Sequence, residues 1–344
     1  MSAKGSALLT VLWATAALAA IAFAVGSTVR SEAERAATDA DALRAYYLAT
    51  ASIDRALLWI EWGNRAIPRR DGQPWFKQPT PRLAMEFPEG ESVVEVIPES
   101  SKLNVNTATP VELARLIAAA GAPENAEAIT QAIVDWRAPA PGGEISQFDQ
   151  YYLSLPSSFH SRHSSLKEIE ELLLVRGMTP ELFYGGYKQD ADGRSVPVGA
   201  LRDCLSVYGG TGPFDVNTTS PQLMYSFGIP AASVNAIVNQ RNLGPIKKMS
   251  ELGNVQGSEP GAPRLTVLDS GGGTIWTLRA TARVRLPGNR LSEVQRSVSV
   301  LVKFLPIGQF NPPWHIMRWY DESPRLTALL PAAQSENGPV ISLQ

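Results

Sequence analysis

Hydrophobic and polar positions divide this chain into regions of different period. From Ser6 to Val29 no residue is charged, and charge returns at once in Arg30-Ser-Glu-Ala-Glu-Arg35. At ~1.5 Å per residue that run makes a helix of roughly 36 Å, enough to cross a bilayer. A secretory signal would break at a small-x-small cleavage site, and the apolar run has no such break. From Arg30 to Trp62 there is neither proline nor glycine. Leu43, Tyr47, Asp54 and Leu58 fall on one face there, thickened by Ala36, Ala40, Tyr46, Ile53, Leu57 and Ile60. Spacings of three and four residues predict an amphipathic helix that continues the apolar one, ended by Gly63 and Pro68.

After a proline-rich link, Pro68 to Pro81, the period falls to two. Leu83–Phe87 and Ser92–Ile97 predict a hairpin across Pro88-Glu-Gly90, with a further strand at Lys102–Asn106. Alternation returns at Ile275–Leu286, where Trp276, Leu278, Ala280, Ala282 and Val284 share a face, and Val294–Leu305 runs back after Pro287-Gly-Asn289. The stretch between is mostly helical in pattern. One α+β domain with an all-α domain inserted into it is the expected architecture.

The insertion repeats itself. Leu103-Asn-Val-Asn-Thr-Ala-Thr-Pro110 returns as Phe214-Asp-Val-Asn-Thr-Thr-Ser-Pro221. In each copy a hydroxyl cap followed by proline opens a helix. Each helix reaches a Gly-x-Pro hairpin, Gly121-Ala-Pro123 or Gly228-Ile-Pro230, and a second helix ending near Arg137 or Arg241. This resembles the helix-hairpin-helix module. The DNA-binding form uses backbone N–H groups of a Gly-h-Gly hairpin on a phosphate, whereas Pro123 and Pro230 have no N–H to donate. Asn104, Asn106 and Asn217 are expected to hydrogen-bond the strand-to-helix corners. Ser165–Leu174 predicts one helix stopped by Gly177, and Thr179-Pro180 opens the next.

Composition narrows the function. Charged residues are 19% of the 344, and the formal net charge is −2, a poor match for a nucleic-acid binder. The single cysteine, Cys204, excludes an internal disulfide. His160, His163 and His315 are too few for a zinc site with these neighbours, and Ser164-Ser-Leu-Lys167 lacks companion motifs. No phosphate loop, nucleophile elbow or dinucleotide fingerprint occurs, so an enzyme is not expected.

Lys4-Gly5 followed by Ser6-Ala-Leu-Leu-Thr-Val-Leu-Trp13 resembles the processing site of type IV pilins and type II secretion pseudopilins. The resemblance implies cleavage by a prepilin peptidase between Gly5 and Ser6, with methylation of the new terminus. Thr10 stands where most members carry a glutamate, which implies a subunit at the filament tip. Trp13 and Phe23 then belong to the membrane and assembly helix. "LLLVRGMTPEL" (Leu172–Leu182) closely resembles the K-type minor pseudopilins. The loop after Asp135 aligns with one that in this family can be acidic and bind calcium. Asp135, Glu144 and Asp149 are the carboxylates it offers, with Arg137 among them. No cofactor is otherwise required.

The resemblance implies a pilin-like fold: a leader over 1–5, a transmembrane helix over 6–29, and a helix extension with first strands over 30–106. An inserted helical domain with two helix-hairpin-helix-like repeats follows over 107–266, then C-terminal strands over 267–310 and a tail over 311–344. It implies a single-pass protein of the bacterial inner membrane with its globular part in the periplasm. The implied partners are I- and J-type minor pseudopilins, the major pseudopilin and the inner-membrane assembly platform. The role is to initiate or cap a pseudopilus that supports export of folded proteins, with no nucleic acid expected. The alternative is a membrane-anchored helix-hairpin-helix receptor for DNA or exoprotein.

Overall fold

One uninterrupted helix, α1 (Ala3–Asn64), carries both the apolar run and the amphipathic stretch. The computed structural model describes residues 3–77, 81–140, 142, 145–189, 195–253, 265–268, 273–306 and 308–322. Hydroxyls in the apolar run bond back to the helix, Thr15 to the Val11 carbonyl at 3.0 Å and Thr28 to that of Ala24 at 2.9 Å. No bare polar group is therefore carried by those two side chains. The helix ends where Gly63 passes under Phe76. A Cβ at Gly63 would lie 2.4 Å from the Phe76 carbonyl oxygen, so only glycine fits.

The chain continues through β1 (Arg82–Phe87), β2 (Gly90–Pro98) and β3 (Leu103–Asn104) to α2 (Pro110–Ala119), α3 (Ala126–Arg137) and α4 (Gln147–Leu153). Next come α5 (Pro180–Tyr184), β4 (Gly186–Gln189), β5 (Ser195–Val198), β6 (Leu205–Ser206) and β7 (Phe214–Asp215). The last are α6 (Pro221–Ser226), α7 (Ala231–Leu243), β8 (Leu265–Thr266), β9 (Ile275–Leu286), β10 (Arg290–Phe304) and β11 (Trp314–Glu322).

Five strands form an antiparallel sheet in the order β1-β2-β9-β10-β11, and α1 lies across it. Trp276, Leu278, Ala280, Ala282 and Val284 are all buried, as their alternation predicts. Ala280 and Ala282 let α1 approach closely, and Ile53, Leu57 and Ile60 fill the space above the sheet. Burial of each such aliphatic side chain contributes about 1.5–3 kcal/mol. The mixed α+β class is as expected, a long first helix on a small antiparallel sheet.

Three local expectations are corrected. On α1 the face against the sheet is Ala45, Leu48, Ala49, Ser52, Ile53, Ala56, Leu57 and Ile60, while Leu43, Tyr47, Asp54 and Leu58 look outward, and Ala36 and Ala40 are exposed. The sheet takes the small-residue face because it permits the closer packing. The segment expected to be tail contains a fifth strand, β11, whose register on β10 runs from Ser297↔Glu322 to Phe304↔Trp314. Its charged residues mask the alternation. The helix expected over Ser165–Leu174 is only a 3-10 turn, Ile169–Leu174. There Glu171 turns back to accept the N–H groups of Lys167 and Glu168 at 2.8 and 3.3 Å.

The helical insertion leaves the sheet after Pro98 and rejoins it before Ile275, the end where Pro98 pairs with Trp276. The hairpin turns after Phe87 and Leu286 lie at the other end. Asp41 and Leu48 of α1 meet that turn end, at Ser292 and near Gly90, while Gly63 lies against Phe76, whose ring is 6.0 Å from that of Trp276 at the insertion end. The apolar segment of α1 therefore leaves past the hairpin turns, opposite the insertion.

Candidate functional site

The apolar part of α1 is long and apolar enough to cross a membrane by length and composition, and none of that window is buried within the protein. Trp13 and Phe23 are 71% and 80% exposed, which separates this stretch from a core helix. Thr10 lies in the same apolar stretch of α1. Gly5 and Ser6 lie within α1 as well.

Each half of the repeat builds its strand-to-helix corner from the same hydrogen bonds. Asn104 and Asp215 accept the N–H two residues on, at 2.9 and 3.3 Å, which ends β3 and β7 after two residues. Thr109 and Ser220 cap α2 and α6 at 3.2 and 3.3 Å, each followed by proline. Arg137 donates to the carbonyls of Val105 and Ala108, and Arg241 to those of Val216 and Thr219. Asn106 and Asn217, expected at these corners, each bracket one later residue from both sides. Asn106 exchanges bonds of 2.9 and 2.8 Å with Leu166, and Asn217 bonds of 3.0 and 2.8 Å with Ile246. The two arginines are turned inward on carbonyls, so neither is offered to a phosphate.

The insertion meets the sheet through charge. Glu99 is buried and accepts from Lys102 at 2.7 Å and from Thr277 of β9 at 2.6 Å. Burial pushes its pKa up, but the Lys102 charge and bonds from Lys102, Ser206 and Thr277 outweigh that and hold it below the usual carboxylate value. Arg279 of β9 bridges Asp203 at 3.0 Å and Glu95 at 3.3 Å, and Arg318 of β11 pairs with Glu168. These groups line a cleft of about 200 Å³ between insertion and sheet, where the Arg202 guanidinium sits 5.1 Å from the Tyr320 ring.

The loop read as a calcium site is organised otherwise. Glu144 lies outside the described residues, so the triple can be followed only at Asp135 and Asp149. Asp149 is buried, and its Oδ1 accepts the N–H and O–H of Ser161 at 3.2 and 2.5 Å. Its Oδ2 accepts from His163 Nε2 at 2.7 Å. Burial raises the Asp149 pKa, but the Ser161 and His163 bonds outweigh it and bring it down to about 2. Asp135 accepts from Ser146 at 3.2 Å, and burial raises its pKa. Among the described residues, no three His, Cys, Asp or Glu side chains converge as metal ligands would. His163 and Ser161 are the residues that sequence reasoning missed. Their one signal was the cluster His160-Ser-Arg-His163 following Asp149, where the histidine pair was weighed only as zinc ligands. The trio does not have the layout of a hydrolytic triad. Ser161 and Asp149 both face Nε2, whereas a triad sets nucleophile and acid on opposite ring nitrogens.

Residues 94–184 match the family model described as type II secretion system (T2SS), protein K. Over that stretch the chain is similar to protein K. The match includes the first half of the repeat and the LLLVRGMTPEL stretch, and with it the K-type resemblance holds. The curated proteins contain no match to the chain. Among solved structures, it is similar to a chain of the GspK-GspI-GspJ complex from the enterotoxigenic Escherichia coli type 2 secretion system. Identity is 14%, the alignment covers 84% of this chain and 100% of that one, and the TM-score is 0.47.

Proposed function

We propose that this protein K relative is a minor pseudopilin at the tip of the type II secretion pseudopilus. The observation that carries the reading is the position of the insertion, at the end of the sheet opposite the exit of the apolar helix segment. With the apolar segment in the inner membrane, the sheet and then the insertion project into the periplasm. A filament subunit added above would meet the insertion instead of an open helix end. Thr10 supports the same place, since no carboxylate lies in the apolar segment to receive a neighbour's terminal amine.

On this reading the prepilin peptidase removes residues 1–5, and Ser6 becomes the methylated terminus. The apolar helix then packs with the I- and J-type subunits and with the major pseudopilin below, after recruitment by the assembly platform. The outward stripe of Leu43, Tyr47 and Leu58 is the part of the extramembrane helix left for those neighbours. No step of this role needs a cofactor or bond-making chemistry from the chain.

The test is the intact mass of the protein purified from its own cell envelope, together with site-specific crosslinking from Tyr47. Loss of residues 1–5 with one added methyl group, and a crosslink to another pseudopilin, is the expected result. An uncleaved terminus would overturn the processing and favour an anchored receptor. Crosslinks confined to non-pilin proteins would overturn the tip assembly.

A further inference from the structure

One polar cluster is left unused by assembly: Asp149, His163 and Ser161, beneath the loop that joins α4 to the Ile169–Leu174 turn. With the Ala138 carbonyl it draws on three separate segments. Ala138 follows α3, Asp149 lies in α4, and Ser161 and His163 lie in the loop after it. Both ring nitrogens of His163 face acceptors, Nε2 toward Asp149 at 2.7 Å and Nδ1 toward the Ala138 carbonyl at 3.2 Å. Ser161 Oγ lies 2.8 Å from the same Nε2, so the ring is held from both sides. Asp149 of α4 and Asp135 of α3 are the titratable groups that face it.

A calcium ion needs six or more oxygens, several of them carboxylate. Both Asp149 oxygens already accept from the chain's own donors, and Asp135 is engaged by Ser146. An ion entering here would have to displace both Ser161 and His163 from Asp149. The loop is also seated by packing that no metal has to supply. Phe159 stacks on Tyr152 at 5.1 Å, and Arg162 pairs with Glu171 at 2.9 Å.

We propose that His163 and Ser161 take up both oxygens of Asp149 and so tie α3, α4 and the following segment together, and that the described residues of this loop offer calcium no site. The described residues do not fit the metal that the family resemblance implies. The inference stands independently of any role at the filament tip.

The test uses the full chain in detergent, with calcium chloride alone as the probe. Metal analysis after dialysis, and thermal unfolding at about 1 mM calcium against chelator, cover the affinity range of extracellular calcium modules. The expected result is no retained calcium and an unchanged midpoint. Stoichiometric calcium, or a midpoint raised by the ion, would overturn the proposal. Hydrogen exchange then reads the tie itself through the Ser161 amide. In His163→Ala its exchange should quicken by about tenfold or more, as loss of a hydrogen bond that holds Asp149 implies. Unchanged exchange in that variant would overturn the cross-link. Should His163→Ala not fold, Ser161→Ala removes a single donor to Asp149 and reads the neighbouring amides in the same way, with the same two outcomes.

Discussion

Asn217 holds Ile246 from both sides, its amide donating to the Ile246 carbonyl at 3.0 Å and its side-chain oxygen accepting the Ile246 N–H at 2.8 Å. Both residues are buried, so no water stands ready to replace either bond. Asn217→Ala should destabilise the insertion by about 1–3 kcal/mol, the cost of buried backbone groups left without partners. Asn217→Asp should cost at least as much, because the carboxylate cannot donate and faces a carbonyl. Urea unfolding of the two variants beside the parent chain checks both.

The equivalent arginines make a second prediction. Arg137 reaches two carbonyls with the two arms of one guanidinium. Arg137→Lys keeps the charge but has no fork, so it should recover only part of the stability lost in Arg137→Ala, itself about 1–3 kcal/mol. Equal stability of the Lys variant and the parent, measured by urea unfolding, would show that charge alone suffices.

Glu99 sets the response of the sheet junction to acid. Its folded pKa lies below its unfolded value, so its contribution is fully present above the unfolded value, about 4.3. That contribution is lost as pH falls through the folded value. Glu99→Gln should flatten this part of the stability profile and cost about 3–5 kcal/mol at neutral pH, because Lys102 is left buried without its partner. Urea unfolding at a series of pH values distinguishes the two effects.

Cys204 should be silent in the folded protein. It is fully buried, and burial pushes its thiol up to about 11, the Ser220 hydrogen bond notwithstanding. Thiolate is the reactive form, so alkylation by iodoacetamide at pH 8 should be undetectable in the native chain and complete in urea. Native labeling at a rate near that of the unfolded chain would mean that the insertion opens readily.

Much of this was legible in particular residues. Trp276 to Val284 announce their strand because each apolar side chain alternates with a polar one. The Asn-Thr pairs and the Thr-Pro and Ser-Pro helix starts announce the repeat. The repeat extends further than those motifs, though. Leu166-Lys-Glu-Ile-Glu-Glu-Leu172 and Ile246-Lys-Lys-Met-Ser-Glu-Leu252 occupy equivalent places, each held by an asparagine and each leading into a 3-10 turn. In the first copy α4 and its flanking segments separate this segment from α3, which hides the correspondence in the sequence. The orientation of α1 was hidden for another reason: alanine is compatible with either face, and only the sheet decides which one is covered. The loop cluster required His163 and Asp149, fourteen residues apart, to meet, and no periodic spacing encodes that contact.

A helix of 62 residues at ~1.5 Å per residue is a rod of roughly 93 Å without a hinge. A push delivered to its apolar end is carried stiffly to Asn64, at the level of the insertion. Compliance begins only there, where the joint is a handful of ion pairs around Glu99, Arg279 and Arg318 and not an apolar seam. Under load the head would tilt on its neck before the shaft bent, and salt would loosen only the neck's exposed Arg318–Glu168 pair, the buried pairs being little screened.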